Sequence, residues 1–247
     1  MKYIKEFYKK TLERFTVNLS YDSDLVGIEI NTIKPLADEI NKFYPENPIL
    51  GLLKRRPSQV NIGTLTFKDE KNINLVEIGQ DFLSFTFNQY DKWDTELSKI
   101  IHVFKALTKS VEIPNITKIV LTYTDVFRIP TEKFEYNNFF TMPNFDNDFG
   151  WNVKFHDIYL GFVPTEENLE SEKRKITFRL RSRGIQDIYY VFGLETVGSI
   201  DNFIITPDPN KLKDHLDQCH AQIEDHFINI LTDHYRGIIG LEIEEYE

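Results

Sequence analysis

The chain has 247 residues, 41% of them hydrophobic and 28% charged, with 39 acidic against 29 basic side chains and a formal net charge of −10. That balance belongs to a folded protein of one large domain or two ordinary ones, and it excludes a disordered chain. The acid excess also argues against a general nucleic-acid coat protein, which neutralises phosphates with Lys and Arg. A count of 20 Phe and 12 Tyr beside only 11 Gly and 10 Pro leans toward strand-rich structure. The single cysteine, Cys219, rules out an intrachain disulfide and fits a reducing compartment. Residues 1–10 lack the apolar run of a signal peptide, and no segment approaches the ~20 apolar residues of a membrane span. The cytoplasm is the expected address, with no membrane partner.

Residues 2–15 read as a short amphipathic helix with Ile4, Phe7, Tyr8, Leu12 and Phe15 on one side. A strand is expected over 24–33, then an irregular connection marked by Pro45, Pro48 and Pro57. Residues 73–78 and 82–87 read as strands, followed by a helix carrying Trp93, Leu97, Ile100, Ile101, Phe104, Leu107 and Val111 at three- and four-residue spacings. Asp91 or Asp94 is the expected cap, Pro114 closes the helix, and 116–129 reads as a long strand. The second half repeats the order: a basic strand at 175–183, a strand over 189–196, a turn at Gly198-Ser199 and a strand over 201–206. A helix follows from about Pro209 to Thr232, with Leu212, Leu216, Cys219, Ile223, Phe227 and Ile230 on one face. Gly237 and Gly240 end it, before a short strand at 241–243. The expected fold is therefore α+β: two antiparallel strand–strand–long-helix units, a duplicated architecture, plus a short N-terminal helix. The expected divisions are 1–57, 58–145 and 146–247.

Three constellations carry chemistry. Between Lys173 and Arg183 lie six basic residues and no acidic one, and the second half alternates Lys175, Thr177, Arg179, Arg181 and Arg183 against Ile176, Phe178, Leu180 and Ser182. Neighbouring arginines on one strand face stand about 7 Å apart, close to the phosphate repeat of a nucleic-acid strand. The competing and commoner reading is a solvent face paired with acids such as Glu166, Glu167, Glu170 and Glu172. Asp125 falls among Ile119, Leu121, Tyr123, Phe127 and Ile129 on one strand face. Such a carboxylate is a tuned acid or a ligand to a basic partner group; the commoner readings are a bulge that turns it outward or backbone hydrogen bonds to it. In the last helix, His215, Cys219 and His226 sit at turn spacings that allow a metal clip, but no recognised ligand motif is present. There is no glycine-rich phosphate loop and no nucleophile elbow. Cys219 and His220 point about 100° apart on a helix and do not form a dyad.

Two segments resemble a known family. The first is Leu121-Thr122-Tyr123-Thr124-Asp125-Val126-Phe127-Arg128-Ile129-Pro130, then Phe139-Phe140 and Pro143. The second is Ser199-Ile200-Asp201-Asn202-Phe203, then Leu216-Asp217-Gln218-Cys219-His220, Phe227 and Leu231-Thr232-Asp233. Together they resemble a sporadically distributed bacterial family of uncharacterised proteins. Its members carry a Leu-x-Tyr-x-Asn strand before a proline and a Leu-Asp-x-x-His helix before Phe and Thr-Asp. Asp125 stands where the pattern has Asn. The resemblance implies mobile or defence-associated genes, and marks His220, with Asp217 one turn before it, as special.

The resulting expectation is a non-catalytic binding or regulatory protein. It would recognise an anionic or protein partner, nucleic acid included, through Lys175, Arg179, Arg181 and Arg183, with no cofactor and no resident metal. It would serve as an accessory in a bacterial defence or toxin–antitoxin-like system. The alternative is a metal-dependent enzyme acting on nucleic acid or nucleotide with His220, Asp217 and Asp125.

Overall fold

The computed structural model describes residues 2–7, 11–25, 30–56, 59–71, 73–130, 153–154, 157–162, 173–186, 189–201, 204–239 and 241–245. Within 2–7, 30–32, 52–62, 129–190 (Ile176 apart), 192, 230 and 238–245 the description is of the backbone alone.

The first strands arise where a helix was expected. Leu12 and Phe15 fit a helical spacing, but from Phe15 onward the pattern alternates. Phe15, Val17, Leu19 and Tyr21 are buried, while Thr16, Asn18 and Ser20 between them are half-buried. That period of two belongs to a strand buried on one face. Residues 2–15 therefore form β1 (Lys2–Phe7) and the start of β2 (Leu12–Tyr21). The strand expected over 24–33 is corrected in the opposite sense. Ile33, Leu36 and Ile40 recur at three and four residues and are buried, and they drive helix α1 (Ile30–Ile40) despite Pro35 within it. β3 (Ile49–Arg56) and β4 (Gln59–Lys68) follow, where an irregular connection was expected.

The central run behaves as its periodicity implies. β5 (Leu75–Gly79), β6 (Phe82–Phe87), α2 (Trp93–Ser110) and β7 (Ile116–Pro130) come in the expected order. Neither Asp91 nor Asp94 caps α2: Lys92 is the cap residue and makes no side-chain cap bond. After β8 (Val153–Lys154) and β9 (Asp157–Phe162), the basic segment forms β10 (Lys173–Gln186), paired along its length with β11 (Tyr189–Asp201). The last helices are α3 (Pro209–Ile230) and α4 (Asp233–Ile239), before β12 (Leu241–Glu245). Asp208 caps α3 by accepting from the Asn210 and Lys211 N–H groups, and Pro209 takes the first turn, where it has no bond to lose.

Among the described residues the strands form one ten-stranded sheet in the order β3-β4-β5-β6-β2-β7-β11-β10-β9-β8, with β1 and β12 as a separate pair. All its ladders are antiparallel. The expectation of two strand–strand–long-helix units with an N-terminal helix is thereby overturned, although the chain is α+β. β2, from the stretch read as a helix, sits mid-sheet and pairs with β6 on one side and β7 on the other. The strands thus join into one surface that draws on all three expected divisions.

One row of side chains shows which face is covered. Phe87, Phe15, Tyr123 and Thr196 are register partners across β6, β2, β7 and β11, as are Phe85, Val17, Leu121 and Gly198. All eight are buried, in a core shared with Leu97, Ile100, Phe104 and Leu107 of α2 and Leu212, Leu216 and Ile223 of α3. Alternate positions such as Thr16, Thr122, Thr124, Glu195 and Val197 are half-buried on the other face.

Gly198 corrects a further expectation. It is not a turn: β11 runs straight through it. A Cβ there would lie 2.5 Å from Ile223 Cδ1 and 3.1 Å from Cys219 Sγ, so glycine is what lets α3 lie close on the sheet. Gly198→Ala should destabilise the protein by about 1–3 kcal/mol in urea unfolding. The cost should shrink in an Ile223→Ala background, which removes both clashing carbons, Cδ1 at 2.5 Å and Cγ1 at 2.7 Å.

Candidate functional site

α3 lies over β7 and β11 and alongside α2. This packing brings together the two segments that carry the family resemblance. Tyr123 of the Leu-x-Tyr-x-Asp strand and His220 of the Leu-Asp-x-x-His helix are joined by a 2.7 Å hydrogen bond between the phenol oxygen and Nδ1. Trp93, at the start of α2, stacks on the imidazole with ring centres 4.2 Å apart and planes 15° from parallel. Its indole N–H donates to Asp217 Oδ1 at 2.6 Å, while Lys213 donates to Asp217 Oδ2 at 2.6 Å. Asp217 thus clamps the indole over the ring that lies one helical turn further on.

Protonation follows from burial. Desolvation pushes the Tyr123 phenol well above its usual range, so it keeps its proton. Burial lowers His220 to about 4, against an opposing pull from Asp217, so the ring is neutral at pH 7. The tautomer with its proton on Nε2, 3.8 Å from the Glu224 carboxylate, is the one in which Tyr123 donates to Nδ1. This assignment leaves the imidazole without a free lone pair for catalysis.

Asp125 faces inward, 5% exposed, so the bulge that would have turned it to solvent is not the answer. It lies on the same covered face as Tyr123 and, among the described residues, Thr11 alone donates to it, at 2.8 Å. Desolvation raises its pKa to about 7, with the Thr11 bond pulling the other way. Asp125 and His220 line one cavity of about 90 Å³ together with Leu12, Tyr90, Tyr123, Thr196, Ile223, Glu224 and Phe227. Thr196 is fully buried there and, among the described residues, its hydroxyl has no hydrogen-bond partner.

The other expected residues fall elsewhere. Cys219 is buried against the sheet near Gly198, and His226 Nδ1 is engaged with the Gln222 carbonyl at 2.8 Å. Among the described residues no three His, Cys, Asp or Glu side chains gather to hold a metal ion. Thr232 of the Thr-Asp pair accepts from the Tyr235 N–H at the start of α4, a structural role. In β10, Lys175 is in register with Ser199, Arg179 with Glu195 and Tyr159, and Arg181 with Gly193 and Asp157. The ladder shifts between Ser182 and Gly184, which puts Arg183 at the irregularity. The side chains of this row, the acids Glu166, Glu167, Glu170 and Glu172, and the segment with Phe139, Phe140 and Pro143 lie outside the described residues.

Trp93, Tyr90, Tyr123, Thr196 and Glu224 were not read as site residues. For two of them a signal existed. Tyr123 and Asp125 are two apart on one strand face, and Asp217, His220 and Glu224 are three and four apart on one helix face. Tyr90, Trp93 and Thr196 carry none, because their roles depend on which elements meet.

Neither a protein-family model nor a curated protein matches the chain. Neither comparison bears on the resemblance carried by Tyr123, Asp125, Asp217 and His220. Among the described residues no helix is long and apolar enough to cross a membrane.

Asp125 and His220 oppose each other in pH dependence. The raised carboxyl contributes stability present below pH ~4 and lost as pH rises toward 7, whereas the depressed imidazole contributes stability present above pH 6.5 and lost as pH falls toward 4. Asp125→Asn removes the first effect. The variant should match the parent near pH 4 and exceed it at pH 8 by on the order of 1–4 kcal/mol, at ~1.4 kcal/mol per tenfold. His220→Gln should instead leave a protein whose stability falls steadily from pH 4 to 7. Urea unfolding at a series of pH values measures both.

Proposed function

We propose that this chain is a non-catalytic binding protein that engages an anionic partner along β10, on the sheet face away from α3. The observation that carries this reading is the register of β10. Ile176 is buried and pairs with Gly198, the residue that α3 touches, so Lys175, Arg179 and Arg181 occupy the alternate positions. Their partners on β11 include Ser199 and Glu195, which are half-buried on the face opposite α3. β10 is also an interior strand, held between β9 and β11, so its backbone is a rigid support for charge recognition. Acids also stand on this side: Glu195 and Asp157 are in register with Arg179 and Arg181, and Asp201, at the far end of β11, is paired with Lys118.

The resemblance to a sporadically distributed bacterial family supports an accessory or regulatory role in a defence or toxin–antitoxin-like system, at a cytoplasmic address. The alternative, a metal-dependent enzyme built on His220, Asp217 and Asp125, has less behind it. Both Asp217 oxygens are committed to Trp93 and Lys213, and Tyr123 occupies His220 Nδ1.

The test is the triple change Arg179→Glu, Arg181→Glu, Arg183→Glu, with binding of a labelled single-stranded oligonucleotide followed by anisotropy across a salt series. The parent should bind and the variant should lose at least tenfold in affinity. Removing three phosphate contacts should also flatten the log K against log salt slope by about 2. Equal binding by a folded variant would remove β10 as the contact surface.

A further inference from the structure

The cavity beneath α3 lies on the covered face of the sheet, opposite the face assigned to β10, and nothing in the proposed binding role uses it. Its described lining sorts by chemistry. Leu12, Ile223 and Phe227 supply apolar wall, and Tyr90 and Tyr123 supply aromatic rings. Asp125, Glu224 and the unpartnered Thr196 hydroxyl supply oxygen acceptors. No described lining residue carries a positive charge, because His220 is neutral and its Nδ1 is held by Tyr123.

From this lining we infer that the cavity is a binding site for a small primary alkylammonium ion. Three N–H donors on the ligand nitrogen match three oxygen acceptors, Asp125, Glu224 and Thr196 Oγ1. The aromatic faces favour a cation, and the apolar wall takes a short alkyl tail. A volume of about 90 Å³ admits a molecule of a few heavy atoms. A fully buried hydroxyl without a partner costs on the order of 1–3 kcal/mol, and a donor from the ligand relieves that cost.

The state of Asp125 fits the same site. Around it stand Thr11, Tyr90, Tyr123, Tyr235, Glu224 and His220, none of them a cation at neutral pH, so burial alone holds its proton up to about 7. An ammonium ion replaces that proton as the carboxylate's partner. Affinity therefore rises about tenfold per pH unit up to ~7 and levels off above it.

Calorimetric titration of the full chain with n-butylammonium chloride at pH 8 tests the site, with n-butanol and tetramethylammonium chloride as probes of the same size class. Saturable binding of butylammonium is expected, at least tenfold tighter than either comparison. Asp125→Asn should lose at least tenfold, and Thr196→Val, which keeps the side-chain shape, should lose several-fold. Butanol binding as well as butylammonium would show an apolar cavity and overturn the inference, as would no saturation at 10 mM amine or unchanged affinity in folded Asp125→Asn and Thr196→Val. None of these outcomes touches β10, whose test uses a different surface and a different ligand.

Discussion

The pairing of β2 with β7 is the constraint on which the rest of this structure depends. It joins the strands of the first half to those of the second, so that one continuous sheet presents one continuous apolar face. Antiparallel register places partners on the same face, and a slip of one residue would turn every buried side chain outward. Phe15 opposite Tyr123 and Val17 opposite Leu121 therefore determine which face α2 and α3 cover. The same pairing carries Thr11 to Asp125, supplying the one described hydrogen bond to a carboxylate that would otherwise be buried bare. A register shift between Leu12 and Arg14 lies beside that carboxylate, and the pairing continues past it, with the Val126 N–H donating to the Thr11 carbonyl at 2.7 Å.

Once the face is covered, the contact between helices is made by a polar cluster as well as by apolar packing. Trp93 from α2 reaches across to α3, stacking on His220 and donating to Asp217, while Tyr123 holds the same imidazole from the sheet below. Each group satisfies another, so burial costs little, and the neutral ring avoids the expense of a buried charge. Phe15 stacks on Tyr123 with ring centres 4.5 Å apart and meets Trp93 edge-on, which extends the cluster into the core. The cavity opens beside this cluster, where Asp125 and Thr196 replace apolar residues on the buried face.

Much of the order of elements was legible because each of those elements carries its own period. The run from β5 through α2 to β7, and α3 with Pro209 at its start, show apolar spacings long enough to separate helix from strand. The start of the chain misleads because Leu12 and Phe15, three apart, fit a helical spacing and break a strand's alternation, which the register shift between Leu12 and Arg14 accommodates. Val17, Leu19 and Tyr21 decide between them only when weighed together. Pro35 hid α1, and Gly198 was read as a turn because glycine marks both turns and close approaches. At the site, Asp125 and His220 stood out by residue type, but nothing local showed that they would share a cavity.

By itself, then, the sequence determined the strand and helix periods of its clearer segments, the proline start of α3 and the alternation of charge along β10. Those are local properties, set by side-chain direction along a single element. Only the tertiary structure decided that β2 enters the middle of the sheet, that α3 lies close enough to require glycine at 198, and that Tyr123, Trp93 and His220 meet. The strand pairing of β2 with β7 and the contacts of Tyr123 and Trp93 with α3 join residues about 100 or more positions apart, and even Gly198 meets a separate element. They are selected by which arrangement buries the most apolar surface with its polar groups satisfied, and that is a property of the whole chain rather than of any window of it.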